Sequence, residues 1–244
     1  MLRNMELQAT ISVAVETSGR LGSVAVARGD TILAASSFNT RQNHGVELMP
    51  TVDRLCAQAK VTPHDIGLVF VSGGPGSFTG LRIGVTFAKA LALATGVRVV
   101  RVPTLDIVAQ NALHATPRPP KVTVMLDAKR KNVFAATFAL EGDLYRPLDE
   151  PAERAPADYL TTQAPVAVLG EGVSFHESAI RSTPSVTILP DELNEARAEV
   201  VHRLGLRMAR EGQFIPQNEL IPIYVRRPEA EEKWEARQDQ PQGR

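Results

Sequence analysis

The chain has 244 residues, and its 27 Lys and Arg against 27 Asp and Glu leave a formal net charge of zero at pH 7. Its length and 43% hydrophobic content allow one large domain or two of roughly 100 to 120 residues. The balanced charge argues against tight nucleic-acid binding by this chain alone, and the single cysteine, Cys56, excludes an internal disulfide and a cysteine-rich metal site.

Hydropathy along the chain gives no sign of targeting to a membrane. Residues 1–10 lack a basic start followed by a long apolar stretch. No apolar run reaches the roughly 20 residues that are needed to cross a bilayer. We therefore expect a cytoplasmic protein that makes no membrane contact.

The first half of the chain predicts a three-strand meander and then helices that alternate with strands. The order βββαβαβ is typical of a mixed sheet covered by helices. The predicted elements are strands at 11–16 and 22–28, a third strand after Gly29-Asp30, a helix at 46–60, a strand at 68–71, a helix at 79–95 and a strand at 97–102.

The second half repeats the beginning of the first. The predicted strand at 122–127 ends in an acid, as the strand at 11–16 does, and a tight turn then leads into a strand at 132–140. Glu16 and Asp127 are 111 positions apart (127 − 16). This spacing predicts two duplicated α/β domains. Further predicted elements are a helix at 157–162, strands at 166–169 and 186–189, and a helix at 194–211; we assign the domains to 1–104 and 105–228 and a polar tail to 229–244.

A glycine-rich segment at 72–80 lies between a predicted strand and a predicted helix. Backbone N–H groups in such a place can bind a phosphate. The segment fits neither the P-loop, because no Lys follows a glycine, nor the dinucleotide fingerprint, because Thr79 replaces its third glycine. The favoured interpretation is that the glycines adopt unusual backbone angles and that Ser77 or Thr79 caps the helix.

The helix predicted at 79–95 has two apolar stripes. A helix that covers one face of a sheet needs only one stripe, so the second indicates burial within the protein or against a partner. The residues alone leave these two alternatives evenly matched. One stripe consists of Leu81, Val85, Ala88 and Ala92, and the other of Ile83, Phe87, Leu91 and Ala94.

The segment 74–84, GPGSFTGLRIG, resembles the signature of the TsaB family. Segments at 14–18, 44–50, 127–134 and 223–228 resemble the same family in the same order. The resemblance implies two duplicated RNase H-like domains of the actin, sugar-kinase and Hsp70 (ASKHA) type. It therefore agrees with the internal repeat.

The resemblance also implies a function for the chain as a non-catalytic scaffold. TsaB-type proteins pair with the catalytic relative TsaD, and through it with TsaE, in the complex that makes threonylcarbamoyladenosine at position 37 of tRNA. The chain alone is expected to form a homodimer and to meet tRNA only within the complex. The implied partner-binding residues lie on the first-domain helices: Val46, Met49, Leu81, Ile83, Gly84, Val85, Phe87, Ala88, Leu91 and Ala92.

The positions that carry chemistry in related folds are mostly altered here. TsaD-like proteins hold a metal with two histidines at i and i+4, whereas Leu48 follows His44 at that spacing, so we expect no metal site. The second turn, 127–130, lacks the glycines that a phosphate cleft needs. Thr17 and Ser18 are the candidate contacts for ATP or ADP at the TsaD interface, with no nucleotide held tightly. The alternatives are a phosphotransferase of the same fold and a metalloprotease, and no catalytic residue is assigned.

Overall fold

The structure is a computed structural model that describes residues 7–39 and 44–225. The predicted tail at 229–244 and the side chain of His44 lie outside the described part of the chain. Within it, the chain forms two β-sheets and six α-helices that we label here.

The first sheet has five strands in the order β3-β2-β1-β4-β5. Strands β1 to β3 are antiparallel neighbours, and β1, β4 and β5 run parallel. Residues of β1 alternate between two core clusters, Val13 and Val15 under the helices and Ala14 on the opposite face. The elements are β1 Ile11–Glu16, β2 Leu21–Arg28, β3 Thr31–Asn39, α1 His44–Ala59, β4 Ile66–Ser72, α2 Phe78–Thr95 and β5 Arg98–Val102.

The second sheet repeats this topology. Its strand order β8-β7-β6-β10-β11 matches the first strand for strand, with β6, β10 and β11 parallel and β9 added beside β7. The predicted duplication, and with it the ASKHA-type fold, is confirmed. The elements are α3 Thr104–Ala109, β6 Lys121–Lys129, β7 Asn132–Glu141, β8 Leu144–Pro147, β9 Ala152–Arg154, α4 Pro156–Gln163, β10 Val166–Leu169, α5 Val173–Arg181, β11 Val186–Ile188 and α6 Ala198–Arg210.

The last helix, α6, returns to the first sheet and packs across β1, β2, β4 and β5. The contact is close, since a Cβ on Gly205 would lie 2.5 Å from the ring of Phe70. The chain then adds an isolated bridge between Ile215 and Val99 of β5. Residues 198–225 therefore pack with the first unit, and this differs from the predicted second domain at 105–228. The reason is that helices at the interface of two sheets can pack on either one, and sequence order does not determine which.

Helix α3 packs on the second sheet, mainly against β6 and β8, and contacts α6. Neither α3 nor α5 is among the predicted elements. In α3 the residues Leu105, Ile107, Val108 and Ala109 are all buried, and the helix has only six residues, which is too short for helical periodicity to give a signal. In α5 the helix is kinked at His176.

Candidate functional site

Helix α2 begins near the end of the glycine-rich segment at 72–80. The Ser77 hydroxyl accepts a hydrogen bond from the Gly80 N–H at 3.3 Å, and the left-handed Gly96 (φ 72°) ends the helix. Ser77 is thus the N-cap, as the interpretation of the segment predicts. Before Ser77, the backbone at Gly74 has a φ of 104°, a conformation that favours a residue without a Cβ.

One stripe of α2 is part of the core of the first unit. Leu81 and Ala88 are 1% and 0% exposed, and Gly84, Val85 and Ala92 are also buried. The predicted assignment of these five residues to the partner surface is therefore corrected. Periodicity identifies two apolar faces, but only the packed structure shows that this one covers β4 and β5.

The other face of α2 forms an apolar groove with α1. Its volume is about 720 Å³. Four of the predicted partner residues, Met49, Ile83, Phe87 and Leu91, line it, and the predicted Val46 lies on α1 with 61% of its surface exposed. The remaining lining residues are Gly45, Leu48, Phe78, Thr79, Arg82, Thr86, Ala90 and Ala94.

Several of these groove residues escaped the sequence prediction. Phe78 precedes the predicted helix, and Arg82 and Thr86 are the polar positions between the stripes. Ala90 is exposed on the same face. The groove positions 79, 82, 83, 86, 90 and 94 follow one another at steps of one, three or four residues and lie on one face of the helix. Once the core stripe is known, this spacing predicts a second stripe on the surface.

Helix α2 is also, by length and hydropathy alone, apolar enough to cross a membrane. With 18 residues, the helix falls short of the roughly 20 that the sequence analysis takes as the length needed to cross a bilayer. The buried stripe accounts for much of the apolar content, because core helices of globular proteins pass the same test.

The first turn of the chain, Thr17 and Ser18, is buried under α2 and the glycine-rich segment. The Ser77 N–H donates to the Ser18 carbonyl at 2.7 Å. The N–H groups of Gly73 and Gly74 are also used within the protein, by the Val102 carbonyl and the Thr104 hydroxyl. These three amides therefore stabilise the segment itself and do not point to a free phosphate cradle.

Glu16 ends β1 beneath this turn and is fully buried. Burial raises the pKa of its carboxyl to about 7, although hydrogen bonds from Ser18 and Ser72 oppose the shift. The Ser18 N–H and hydroxyl both donate to Oε1, and Oε2 has no partner. Glu16 therefore organises the turn from inside and does not face solvent.

At the first turn, the described residues leave little room between the two units. The cavity lined by Ser18, Gly19, Glu171 and Glu195 has a volume of about 10 Å³, roughly the room for one water molecule. Arg20 bridges the cleft, with its guanidinium carbon 4.9 Å from the Phe175 ring centroid. Thr17 and Ser18 lie beside this cleft, so a nucleotide contact through them requires the two units to separate.

The second turn is occupied by long side chains. Lys129 pairs with Asp127 at 2.8 Å, and Lys129, Arg130 and Lys131 all have positive φ despite having a Cβ. The turn thus lacks the backbone approach that glycines provide at a phosphate site.

In the described ranges, no three His, Cys, Asp or Glu side chains are grouped so that they could hold a metal ion. Cys56 is buried on α1, and burial, followed by the charge of Asp53, raises the pKa of its thiol. His202 is buried against Ser12, 3.1 Å from its hydroxyl. Cys56 and His202 thus have structural roles in the core.

Two duplicated sheets of matching topology, with an apolar groove on the helices of the first unit, define a protein with an ASKHA-type fold. Comparison with known proteins specifies the class further. The family model described as TsaD, tRNA N6-adenosine threonylcarbamoyltransferase, matches residues 31–234. The chain belongs to the TsaB family within this group of TsaD-type proteins.

Individual relatives support this assignment over nearly the whole chain. The tRNA threonylcarbamoyladenosine biosynthesis protein TsaB of Bacillus subtilis is 29% identical over 91% of this chain and 96% of its own. An uncharacterized protein of Mycobacterium tuberculosis is 33% identical over 77% of each chain. The crystal structure titled YeaZ from Pseudomonas aeruginosa has a TM-score of 0.78 at 22% identity, covering 88% of this chain and 99% of that one, and so supports the fold.

Proposed function

We propose that the protein acts in the biosynthesis of threonylcarbamoyladenosine on tRNA as a non-catalytic subunit that binds a TsaD-type enzyme through the α1–α2 groove. The observation that carries the proposal is the groove itself, an apolar surface of the first unit with exposed Met49 and Val46 at its edge. Exposed apolar patches of this kind are typical of protein–protein interfaces. The proposed complex includes TsaE, which joins through TsaD.

The same groove supports self-association of the isolated protein. A C2 homodimer brings one surface patch against its own copy, so a single apolar face serves both the homodimer and the complex with TsaD. The two assemblies then exclude each other. tRNA is bound within the complex, since the net charge of zero provides no strong attraction for phosphates.

The closed cleft supports the assignment of catalysis to the partner. With about 10 Å³ between Ser18 and Glu195, the units must separate before a nucleotide enters. ATP or ADP in the complex is therefore proposed to lie at the interface and to be held mainly by TsaD, with Thr17 and Ser18 as minor contacts. The phosphotransferase alternative finds no support in the basic second turn, and the metalloprotease alternative finds none in the described residues.

The test is reconstitution with TsaD, TsaE, tRNA, ATP and threonylcarbamoyl-adenylate made from radiolabelled threonine. We expect label transfer only when this chain is present with both partners. Ala90→Glu and Met49→Glu place a charge on the groove wall and are expected to abolish transfer, because an unpaired charge in an apolar interface costs several kcal/mol. Leu148→Glu is the matched control, because Leu148 is 58% exposed on the second unit.

Two results would contradict the proposal. Full transfer by TsaD and TsaE without this chain would remove the need for a scaffold. Transfer by this chain alone would make it the enzyme.

A further inference from the structure

Arg82 is held at one edge of the α1–α2 groove by two aromatic side chains. Its guanidinium carbon lies 3.9 Å from the ring centroid of Phe78, and its Nε–H donates to the Tyr224 hydroxyl at 3.4 Å. The two rings also contact each other, with centroids 5.5 Å apart. A guanidinium that is already held against a ring loses little conformational freedom when it binds a further group. Arg82 is therefore preorganised for a ligand.

The position of Tyr224 beside Arg82 depends on the last described segment of the chain, 219–225. Leu220 is fully buried in the core of the first unit. The Ile223 N–H donates to the carbonyl of Gly73 in the glycine-rich segment at 2.6 Å. These contacts are between residues far apart in the sequence, and they bring the Tyr224 ring to the edge of the groove.

The cluster of Arg82 and the two rings is open to solvent. Phe78 is 40% exposed, Tyr224 is 39% exposed and Arg82 is exposed as well. Phe78 and Arg82 both line the groove. Because the Arg82 Nε–H is used by Tyr224, the two Nη groups are the donors that a ligand meets. A carboxylate can accept from both of them at once, which is the geometry that guanidinium groups favour.

The groove combines an apolar lining with one positive charge. Among the described residues that line it, Arg82 is the charged one. The exposed acids of α1, Glu47 and Asp53, are not among the lining residues. A partner with a wholly apolar surface would remove water from the guanidinium without supplying a counter-charge, which is unfavourable. The occupant that fits is a protein surface that is apolar at its centre and acidic where it meets Arg82.

We propose that Arg82 selects the partner, because it pairs with a carboxylate of the TsaD-type enzyme and disfavours a second copy of this chain in the same groove. The inference rests on the proposed function, in which both occupants use this surface. In a two-fold homodimer each Arg82 lies against the groove of the other copy, whose described lining residues include no acid. One charge therefore stabilises the complex with TsaD and destabilises the homodimer.

Arg82→Met removes the charge and keeps an unbranched apolar side chain. We expect the affinity of the full chain for TsaD of the same organism to fall about tenfold or more, to depend less on salt, and the homodimer to tighten. Arg82→Lys should recover only part of the TsaD affinity, because an ammonium group cannot donate two parallel bonds. Lys89→Met is the matched control, since Lys89 is on the same helix but outside the groove lining. Titration calorimetry and sedimentation equilibrium measure the two affinities.

The two assemblies must respond in opposite directions. Equal weakening of both in Arg82→Met would overturn the proposal, because Arg82 would then only maintain the shape of the groove. A homodimer weakened by Arg82→Met and by Asp53→Asn would also overturn it, since the carboxylate would then belong to a second copy.

Ala90→Glu separates this inference from the proposed function. Loss of TsaD binding in Ala90→Glu, with unchanged TsaD affinity in Arg82→Met, would contradict the role of Arg82 and leave the groove as the TsaD surface. Unchanged TsaD binding in Ala90→Glu would contradict the proposed function itself.

Discussion

Thr17 and Gly84 lie so close together that a Cβ on Gly84 would be 2.5 Å from the Thr17 Oγ1 and 3.2 Å from a methyl group of Val71. Gly84 is in the middle of α2, and Thr17 is in the first turn at the cleft. The contact therefore joins the helix that forms the groove to the turn that closes the cleft, and it requires glycine at this helical position.

Gly84→Ala should lower the free energy of unfolding by about 1–3 kcal/mol, because a methyl group has no space there. Thr17→Ala in the same chain should recover part of the loss by removing Oγ1. Gly45→Ala is the control, since a Cβ at Gly45 would meet Ile83 at an ordinary 3.8 Å. Urea unfolding of the four proteins measures the coupling, and equal losses in the Gly84 and Gly45 variants would show that the close contact is unimportant.

A charge introduced on the buried face of α2 should lower stability, whereas a charge on the groove face should prevent binding. Ala88 is fully buried, so Ala88→Glu should unfold the protein or destabilise it by several kcal/mol. Ala90→Glu should leave the melting temperature nearly unchanged and still prevent self-association and TsaD binding. Thermal denaturation with sedimentation velocity distinguishes these outcomes, and a dimer of unchanged affinity in Ala90→Glu would exclude the groove as the interface.

Glu16 should make stability depend on pH. Its pKa rises from 4.5 to about 7 on folding, so the folded state is favoured while both states are protonated, and stability falls as pH rises from 4.5 to 7. The full penalty above pH 7 is up to about 3 kcal/mol. Glu16→Gln should therefore gain stability relative to wild type as pH rises.

The difference in the free energy of unfolding between wild type and Glu16→Gln separates the effect of Glu16 from that of other acids that titrate in the same pH range. Burial raises the pKa of Asp106 to about 6 and also raises that of Glu171, but both groups are present in each protein. Urea unfolding at pH 5, 6, 7 and 8 gives the difference in stability. A difference that does not change with pH would mean that Glu16 does not titrate on folding.

Tyr159 belongs to a hydrogen-bonded chain inside the second unit. Its hydroxyl donates to Asp149 at 2.5 Å and lies 2.8 Å from the Thr137 hydroxyl; burial and the bond to Asp149 raise the pKa of Tyr159. Tyr159→Phe leaves these partners incompletely bonded and should lower the free energy of unfolding by about 1–3 kcal/mol. Tyr224→Phe is the matched control, because Tyr224 is 39% exposed and the hydrogen bond to its hydroxyl is long. Equal losses of stability in Tyr159→Phe and Tyr224→Phe, measured by denaturant unfolding, would show that the hydrogen-bonded chain around Tyr159 does not stabilise the fold.

Local sequence features were sufficient to predict the duplicated sheets. The acid Glu16 ends β1, Asp127 lies two residues before the end of the equivalent strand β6, and the Gly-Asp turns at 29–30 and 142–143 join equivalent hairpins. These signals are local, because strand alternation and turn residues depend on neighbours in the chain. The glycine-rich segment and its Ser77 cap were predictable for the same reason.

The tertiary structure decided which apolar face of α2 is buried in the core and which is left on the groove. The sequence shows two apolar stripes on α2, but burial of Leu81 and Ala88, with Ile83 and Leu91 left on the groove, depends on residues far away in the chain. The return of α6 to the first sheet and the closing of the cleft by Arg20 and Phe175 are likewise long-range contacts. Periodicity specifies that a face is apolar, whereas the element that covers it is determined by how the whole chain folds.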